Sequence, residues 1–170
     1  SWYRDDWHRV SVHGANRLGT NSLLDLVVFG KRSGIQMGEY CQEAELLPLP
    51  EDPAAEVIAE FERLRTNTGN KKPVELRNAM QATMTKNVGV FRTDEMMSEA
   101  VSDLKTLREQ FANEVVVDDK GQLYNTDILE AWELGCLLEL AEVTAVSALA
   151  RTESRGGHAR DDYPKRNDAE

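Results

Sequence analysis

The sequence predicts a mainly α protein. Residues 54–150 read as a bundle of about three long helices, and residues 1–47 as a loop and helix that do not belong to it. Three observations carry this reading. Apolar residues recur at three- and four-residue steps from Ala54 onward. A segment holding Pro48, Pro50 and Pro53 separates the two parts, and the composition changes across it. Strand signals are short, limited to Val10 and Val12 flanking Ser11 and to the run Val115–Val117.

Residues 1–21 lack helical periodicity and carry the breakers Gly14, Asn16 and Gly19. A helix is predicted from Ser22 to Cys41, with Asn21 or Ser22 as its cap. Gly30, Gly34 and Gly38 recur every four residues on one face of it. Each costs about 1 kcal/mol in a helix interior, so the stripe predicts a sheet or helix packed close to the backbone. Residues 42–53 form the linker. The bundle opens at Ala54 with Val57, Ile58, Phe61 and Leu64 on one face. Thr66-Asn-Thr-Gly-Asn interrupts that helix; it resumes at Pro73, a first-turn proline, with Leu76, Met80 and Met84 at four-residue steps. Asn87-Val-Gly-Val breaks the pattern. Thr93 caps the next helix, whose Met96, Met97, Val101, Leu104, Leu107 and Phe111 face inward.

The last helix starts near Asn125 or Thr126, with Ile128, Leu129, Trp132, Cys136, Leu140, Val143 and Leu149 as its apolar face. Phe61, Leu104, Phe111, Trp132 and Leu140 are expected in one shared core. Cys41 and Cys136 are expected as small buried hydrophobes. After Arg151 the chain is polar and irregular.

Composition narrows the function. Twenty Lys and Arg against thirty Asp and Glu give a net charge of −10, which argues against nucleic acid and against an anionic membrane surface. With 41% hydrophobic and 29% charged residues the chain suits a soluble globular protein. No apolar run approaches the roughly 18 residues of a spanning helix, and the start Ser1-Trp2-Tyr3-Arg4-Asp5-Asp6 has no apolar signal region. Two cysteines make no disulfide framework; His8, His13 and His158 have no metal-ligand spacing. Both ends read as cut, so the chain is expected to be a piece of a longer protein.

The segment richest in chemistry is Val12-His13-Gly14-Ala15-Asn16-Arg17-Leu18-Gly19-Thr20-Asn21-Ser22-Leu23. Two glycines, an arginine and small polar residues precede a helix N-terminus, where free N–H groups and the positive dipole end favour an anion or the polar edge of a cofactor. Arg17 adds a fork that can grip a carboxylate or a phosphate. On composition alone an ordinary structural loop competes with this reading, since the segment is neither a P-loop nor G-x-G-x-x-G.

The same residues closely resemble the end of the FAD domain in the succinate dehydrogenase/fumarate reductase flavoprotein subunits. Asn87-Val-Gly-Val-Phe-Arg and the run from Ala145 through Arg151-Thr-Glu-Ser-Arg-Gly-Gly-His-Ala-Arg-Asp-Asp-Tyr-Pro resemble the C-terminal helical domain of that family. The likeness runs in order from about Val10 to Asp168 and favours succinate dehydrogenase over fumarate reductase. It implies three parts. Residues 1–47 are the end of an α/β FAD-binding domain, a loop and helix remnant facing substrate and flavin; residues 1–9 fall before the likeness begins and are open to being unrelated sequence. Residues 48–150 are the three-helix bundle, and 151–170 a polar tail against the FAD and capping domains.

The resemblance also implies roles. Arg17 binds a carboxylate of the dicarboxylate substrate. Ser22 and Leu23 contact the flavin of FAD through backbone groups. His13 is read as structural, and Arg155, His158 and Arg160 as contacts between domains. No catalytic residue and no metal ligand falls in this chain. The parent would oxidise succinate to fumarate and pass electrons through FAD to an iron–sulfur subunit, then through membrane anchor subunits to quinone. It would lie peripherally on the cytoplasmic face of a bacterial inner membrane, or on the matrix face in mitochondria. The chain alone is expected to be inactive. Fumarate reductase and L-aspartate oxidase are the alternatives within the superfamily, and a free-standing helical interaction module the alternative outside it. Such a module has no use for a flavin-facing loop.

The match also has gaps. An acidic residue that contacts FAD in the family has Asp6 at its offset, but the neighbours of Asp6 differ and no role is carried over. The dinucleotide fingerprint, the flavin-linking histidine and the capping domain with its proton-transferring arginine have no counterpart here.

Overall fold

The computed structural model describes residues 19–168, with side chains from Leu23 onward. In chain order the elements are α1 (Gly19–Glu43), α2 (Ala55–Thr66), α3 (Pro73–Asn87), β1 (Phe91–Arg92), α4 (Asp94–Glu114), α5 (Thr126–Ala150) and β2 (Ala159–Arg160). The mainly α class is therefore correct. The interrupted first helix of the bundle is two separate helices, α2 and α3.

Backbone packing makes that interruption. A Cβ on Gly69 would lie 1.8 Å from the carbonyl oxygen of Glu114, so only glycine fits where residues 67–72 cross the end of α4. The N–H of Lys71 donates to that same carbonyl at 3.0 Å, and Val116 N–H returns a bond to the Lys71 carbonyl at 2.9 Å. Asn67 Nδ2 donates to the Val115 carbonyl at 2.7 Å. Val115 and Val117 are buried beneath this crossing.

Helix starts follow the sequence signals. Thr93 Oγ1 accepts from the N–H of Met96 at 3.3 Å, and Asn125 Oδ1 from that of Ile128 at 2.9 Å. Pro73 is the first residue of α3, and Glu75 accepts from the N–H of Lys72 at 3.0 Å. The cap predicted for α1 is different: Asn21 and Ser22 lie inside a helix that begins at Gly19.

α5 is the centre of the bundle, packing on α2, α3 and α4. It runs antiparallel to α4. Gly135 lies against Phe111, where a Cβ would come within 2.9 Å of the ring, while the other end of α5 meets the start of α4. Leu64, Leu76, Met97, Leu104, Leu134 and Leu138 are almost wholly buried. Each such side chain is worth about 1.5–3 kcal/mol of apolar burial.

The face by which α5 enters this core is not the predicted one. Ile128 is buried as expected, but the residues behind it are Ala131, Leu134, Leu138, Ala141, Ala145 and Ala148. Trp132 is 38% exposed and stacks on half-buried Phe61 with ring centroids 5.9 Å apart; Leu140 and Val143 are 62% and 61% exposed. Leu129 and Cys136 are exposed too, and so is Cys41 on α1. Small alanines let α5 approach its neighbours closely, and this turns the bulky stripe outward. Of the α2 face, only Leu64 is fully buried, with Val57 and Ile58 exposed.

α1 stands apart. No helix packs on it extensively, and Leu23, Leu26, Val27 and Ile35 are all more than half exposed. A Cβ on Gly30, Gly34 or Gly38 would meet nothing within 4 Å, so the close packing predicted for that stripe is absent among the described residues.

Candidate functional site

Two places carry the sequence-predicted chemistry, the start of α1 and the tail. Arg17 and His13 lie outside the described residues. Ser22 sits in the first turn of α1 and Leu23 follows it, 66% exposed. The first turn of a helix has N–H groups without intrahelical acceptors and carries the positive end of the dipole. No acidic residue occupies that first turn, so no carboxylate within it opposes the dipole.

The tail is ordered and folds back onto the bundle. Arg160 is 1% exposed although charged. Its Nη1 donates to the carbonyls of Leu149 at 3.1 Å and Arg151 at 3.2 Å, with Ala148 at 3.4 Å. These are terminal carbonyls of α5, which has no basic residue in its own last turn. On its other side Arg160 grips both oxygens of Asp162, at 2.7 Å from Nε and 2.7 Å from Nη2. Asp162 in turn accepts from the N–H of Asp94, the first residue of α4, at 2.8 Å. One bidentate pair thus places a cation at the C-terminus of α5 and an anion at the N-terminus of α4, each at the dipole end it suits. The Arg160 fork holds the Asp162 carboxyl below the usual carboxylate range.

Around this pair the tail is tied at several points. β1 and β2 pair in parallel, Phe91 with Ala159 and Arg92 with Arg160. His158 is buried between Arg92 Nη1 at 2.7 Å and the Arg151 carbonyl at 3.0 Å. Gly156 supplies the positive φ of 63° in the turn from Arg155 to His158. Glu153 accepts from Arg155 at 2.9 and 3.0 Å, from the N–H of Asn167 at 2.8 Å, and from Arg151 at 2.8 Å. These donors, Arg155 first, pull its carboxyl down to about 2.

The expectation that Arg160 bridges domains is therefore corrected: its guanidinium is engaged inside this chain. Sequence reading missed the double cap. Its signal was there, because α5 ends without a cation of its own and a run of arginines and aspartates follows nine residues later.

A cleft of 420 Å³ between α2, α4 and α5 is lined by Glu60, Arg63, Arg108, Trp132 and Cys136 among others. Its cations are already engaged. Arg63 binds Glu60 and the Ala112 carbonyl, and Arg108 binds Glu142 at 2.5 Å. Among the described residues no three His, Cys, Asp or Glu side chains come together as metal ligands, and no helix is long and apolar enough to cross a membrane.

Comparison with known proteins gives the family. Residues 77–170, more than half of the chain, match the sequence profile described as "Fumarate reductase flavoprotein C-term". The chain belongs to that flavoprotein family. It is similar to the succinate dehydrogenase flavoprotein subunit of Rickettsia bellii, 46% identical over 162 residues that cover 95% of this chain and 27% of the relative. A mitochondrial succinate dehydrogenase flavoprotein of Xenopus laevis is 43% identical over 160 residues, 94% of this chain and 24% of the relative. Among solved structures, a quinol fumarate reductase FrdA chain of E. coli superposes with a TM-score of 0.77 at 37% identity, over 91% of this chain and 27% of that one. The chain spans about a quarter of the length of the flavoprotein relatives it matches.

Proposed function

We propose that this chain acts as the C-terminal quarter of a succinate dehydrogenase flavoprotein subunit, with its first 47 residues closing the substrate and flavin site. The observation that carries the proposal is the His13-Gly-Ala-Asn-Arg-Leu-Gly-Thr-Asn-Ser-Leu-Leu run set directly before and into α1, in a chain whose remainder matches the family. Arg17 binds one carboxylate of succinate through its planar fork. The backbone of Ser22 and Leu23 holds the polar edge of the flavin. The first turn of α1 fits this task, having outward N–H groups and no acidic side chain of its own. When bound, FAD supplies the hydride acceptor for oxidation of succinate to fumarate. These residues fit one edge of that cofactor, and the rest of its site belongs to the remaining three quarters of the protein.

Electrons then leave through an iron–sulfur subunit and membrane anchor subunits to quinone, with the flavoprotein peripheral to the membrane. The exposed apolar faces of α1 and α5 are the surfaces that the remainder of the flavoprotein covers. The test is a chimera in which residues 10–168 replace the matching quarter of the Rickettsia bellii subunit, assayed for flavin content and succinate-dependent dye reduction. Turnover with retained flavin is expected. A folded, flavin-loaded chimera with no succinate turnover would overturn the proposal, and preferential fumarate reduction would move it to fumarate reductase.

A further inference from the structure

His158 is 8% exposed, and both of its ring nitrogens are engaged. Nε2 faces the Arg151 carbonyl at 3.0 Å and Nδ1 faces Nη1 of Arg92 at 2.7 Å. A carbonyl only accepts and a guanidinium only donates. The neutral ring with its proton on Nε2 is therefore the form that satisfies both contacts. A second proton would sit on Nδ1, pointing at an N–H of Arg92.

The charges facing the ring reinforce this. Arg92 approaches from β1, Arg151 from the end of α5 and Arg160 from β2, all of one sign. The nearby carboxylates are committed elsewhere: Glu153 to Arg151 and Arg155, Asp162 and Asp94 to Arg160. Nothing around the ring stands ready to stabilise an imidazolium.

We propose that protonation of His158 releases the segment 152–168 from the bundle, so that the tail is a proton-operated latch across the α4–α5 end. The ring is placed to do this. It closes the turn in which Arg155 and His158 exchange backbone bonds at 2.9 and 3.1 Å, and it precedes β2 directly. Its partner Arg92 is the β1 residue that pairs with Arg160 and whose carbonyl accepts from the N–H of Asp161 at 2.9 Å. Losing the His158–Arg92 contact therefore loosens both strands of the pair at once. Burial, and then the three cations, lower the ring's proton affinity in the closed state, against the one opposing hydrogen bond to Arg151. In the open state it returns to its ordinary value near 6.5. Proton uptake thus favours opening. The latch is at full strength above about pH 6.5 and weakens as pH falls through the closed-state value. Glu153 and Asp162 hold the tail too, but their carboxyls titrate in a more acidic window.

The test is hydrogen–deuterium exchange of the full 170-residue chain at micromolar concentration between pH 7.5 and 5.5, corrected for intrinsic exchange. Protection of peptides covering 152–168 is expected to fall about five- to tenfold across that range, while peptides within α4 stay unchanged. In His158→Gln an amide replaces the ring with one acceptor and one donor, and the tail's protection should become flat with pH. If that variant opens the tail at every pH, an NMR titration of the wild-type ring decides instead. The ring must then titrate below 6.5, with the same midpoint as tail protection. A flat wild-type profile, a ring titrating at or above 6.5, or a wild-type slope in His158→Gln would each overturn the proposal.

Discussion

At the scale of single residues, Arg160 matters most to the described structure. Its removal leaves the last α5 carbonyls without donors and the Asp162 carboxylate without its partner. Arg160→Ala is expected to cost about 3–5 kcal/mol, read as a lowered urea midpoint, because the group is buried and bidentate. Arg160→Lys should recover only part of this, since a point-charge ammonium cannot reach carbonyls and carboxylate together. Glu153 gives a pH signature. Its carboxyl lies near 4.5 when free and is drawn down to about 2 by Arg155, Asn167 and Arg151. The folded state binds fewer protons there, so this contribution is fully present above about pH 4.5 and is lost as pH falls toward 2. Glu153→Gln should flatten the urea midpoint between pH 4.5 and 2.5 relative to wild type. For the proposed substrate contact, Arg17→Lys in a full-length flavoprotein should abolish most succinate turnover while flavin is retained. Turnover within about twofold of wild type would remove Arg17 from the site.

At the scale of elements, α5 separates what sequence shows from what it hides. Its existence and its Asn125 cap were legible, because apolar residues fill 25 positions behind a good cap. Its orientation was not. Both faces of the helix are apolar, so periodicity could not choose between a stripe of Leu, Trp and Val and a stripe rich in alanine. Close approach to α4 decided for the alanines. Leu134→Ala should therefore cost about 2–5 kcal/mol in denaturant, and Leu140→Ala less than about 0.5 kcal/mol in this chain. Equal costs for the two would show that the helix is turned the other way. On α4, Met97, Leu104, Leu107 and Phe111 were read correctly because only one face of that helix is apolar. The Gly69 crossing and the double cap by Arg160 and Asp162 were illegible for another reason: both join segments more than 40 residues apart in sequence.

At the scale of the whole molecule, a quarter of a flavoprotein holds one edge of a large cofactor. FAD needs a glycine-rich turn for its pyrophosphate and an acidic residue for its ribose, and no G-x-G-x-x-G occurs in the 170 residues. A charged hydrogen bond is worth about 1.5–3 kcal/mol, against an association cost of at least about 4 kcal/mol. The purified chain is therefore expected to bind no FAD at micromolar concentration and to reduce no dye with succinate. Flavin fluorescence titration and a dye assay check both; binding or turnover would make the piece a functional unit. The outward stripe of Leu129, Trp132, Leu140 and Val143 has a further consequence, in the timing of synthesis. A C-terminal quarter leaves the ribosome last, after the earlier domains have begun to fold. Its sticky side then meets its cover as it emerges. Made out of turn, the same side stays wet and marks the polypeptide as unfinished for chaperones and proteases.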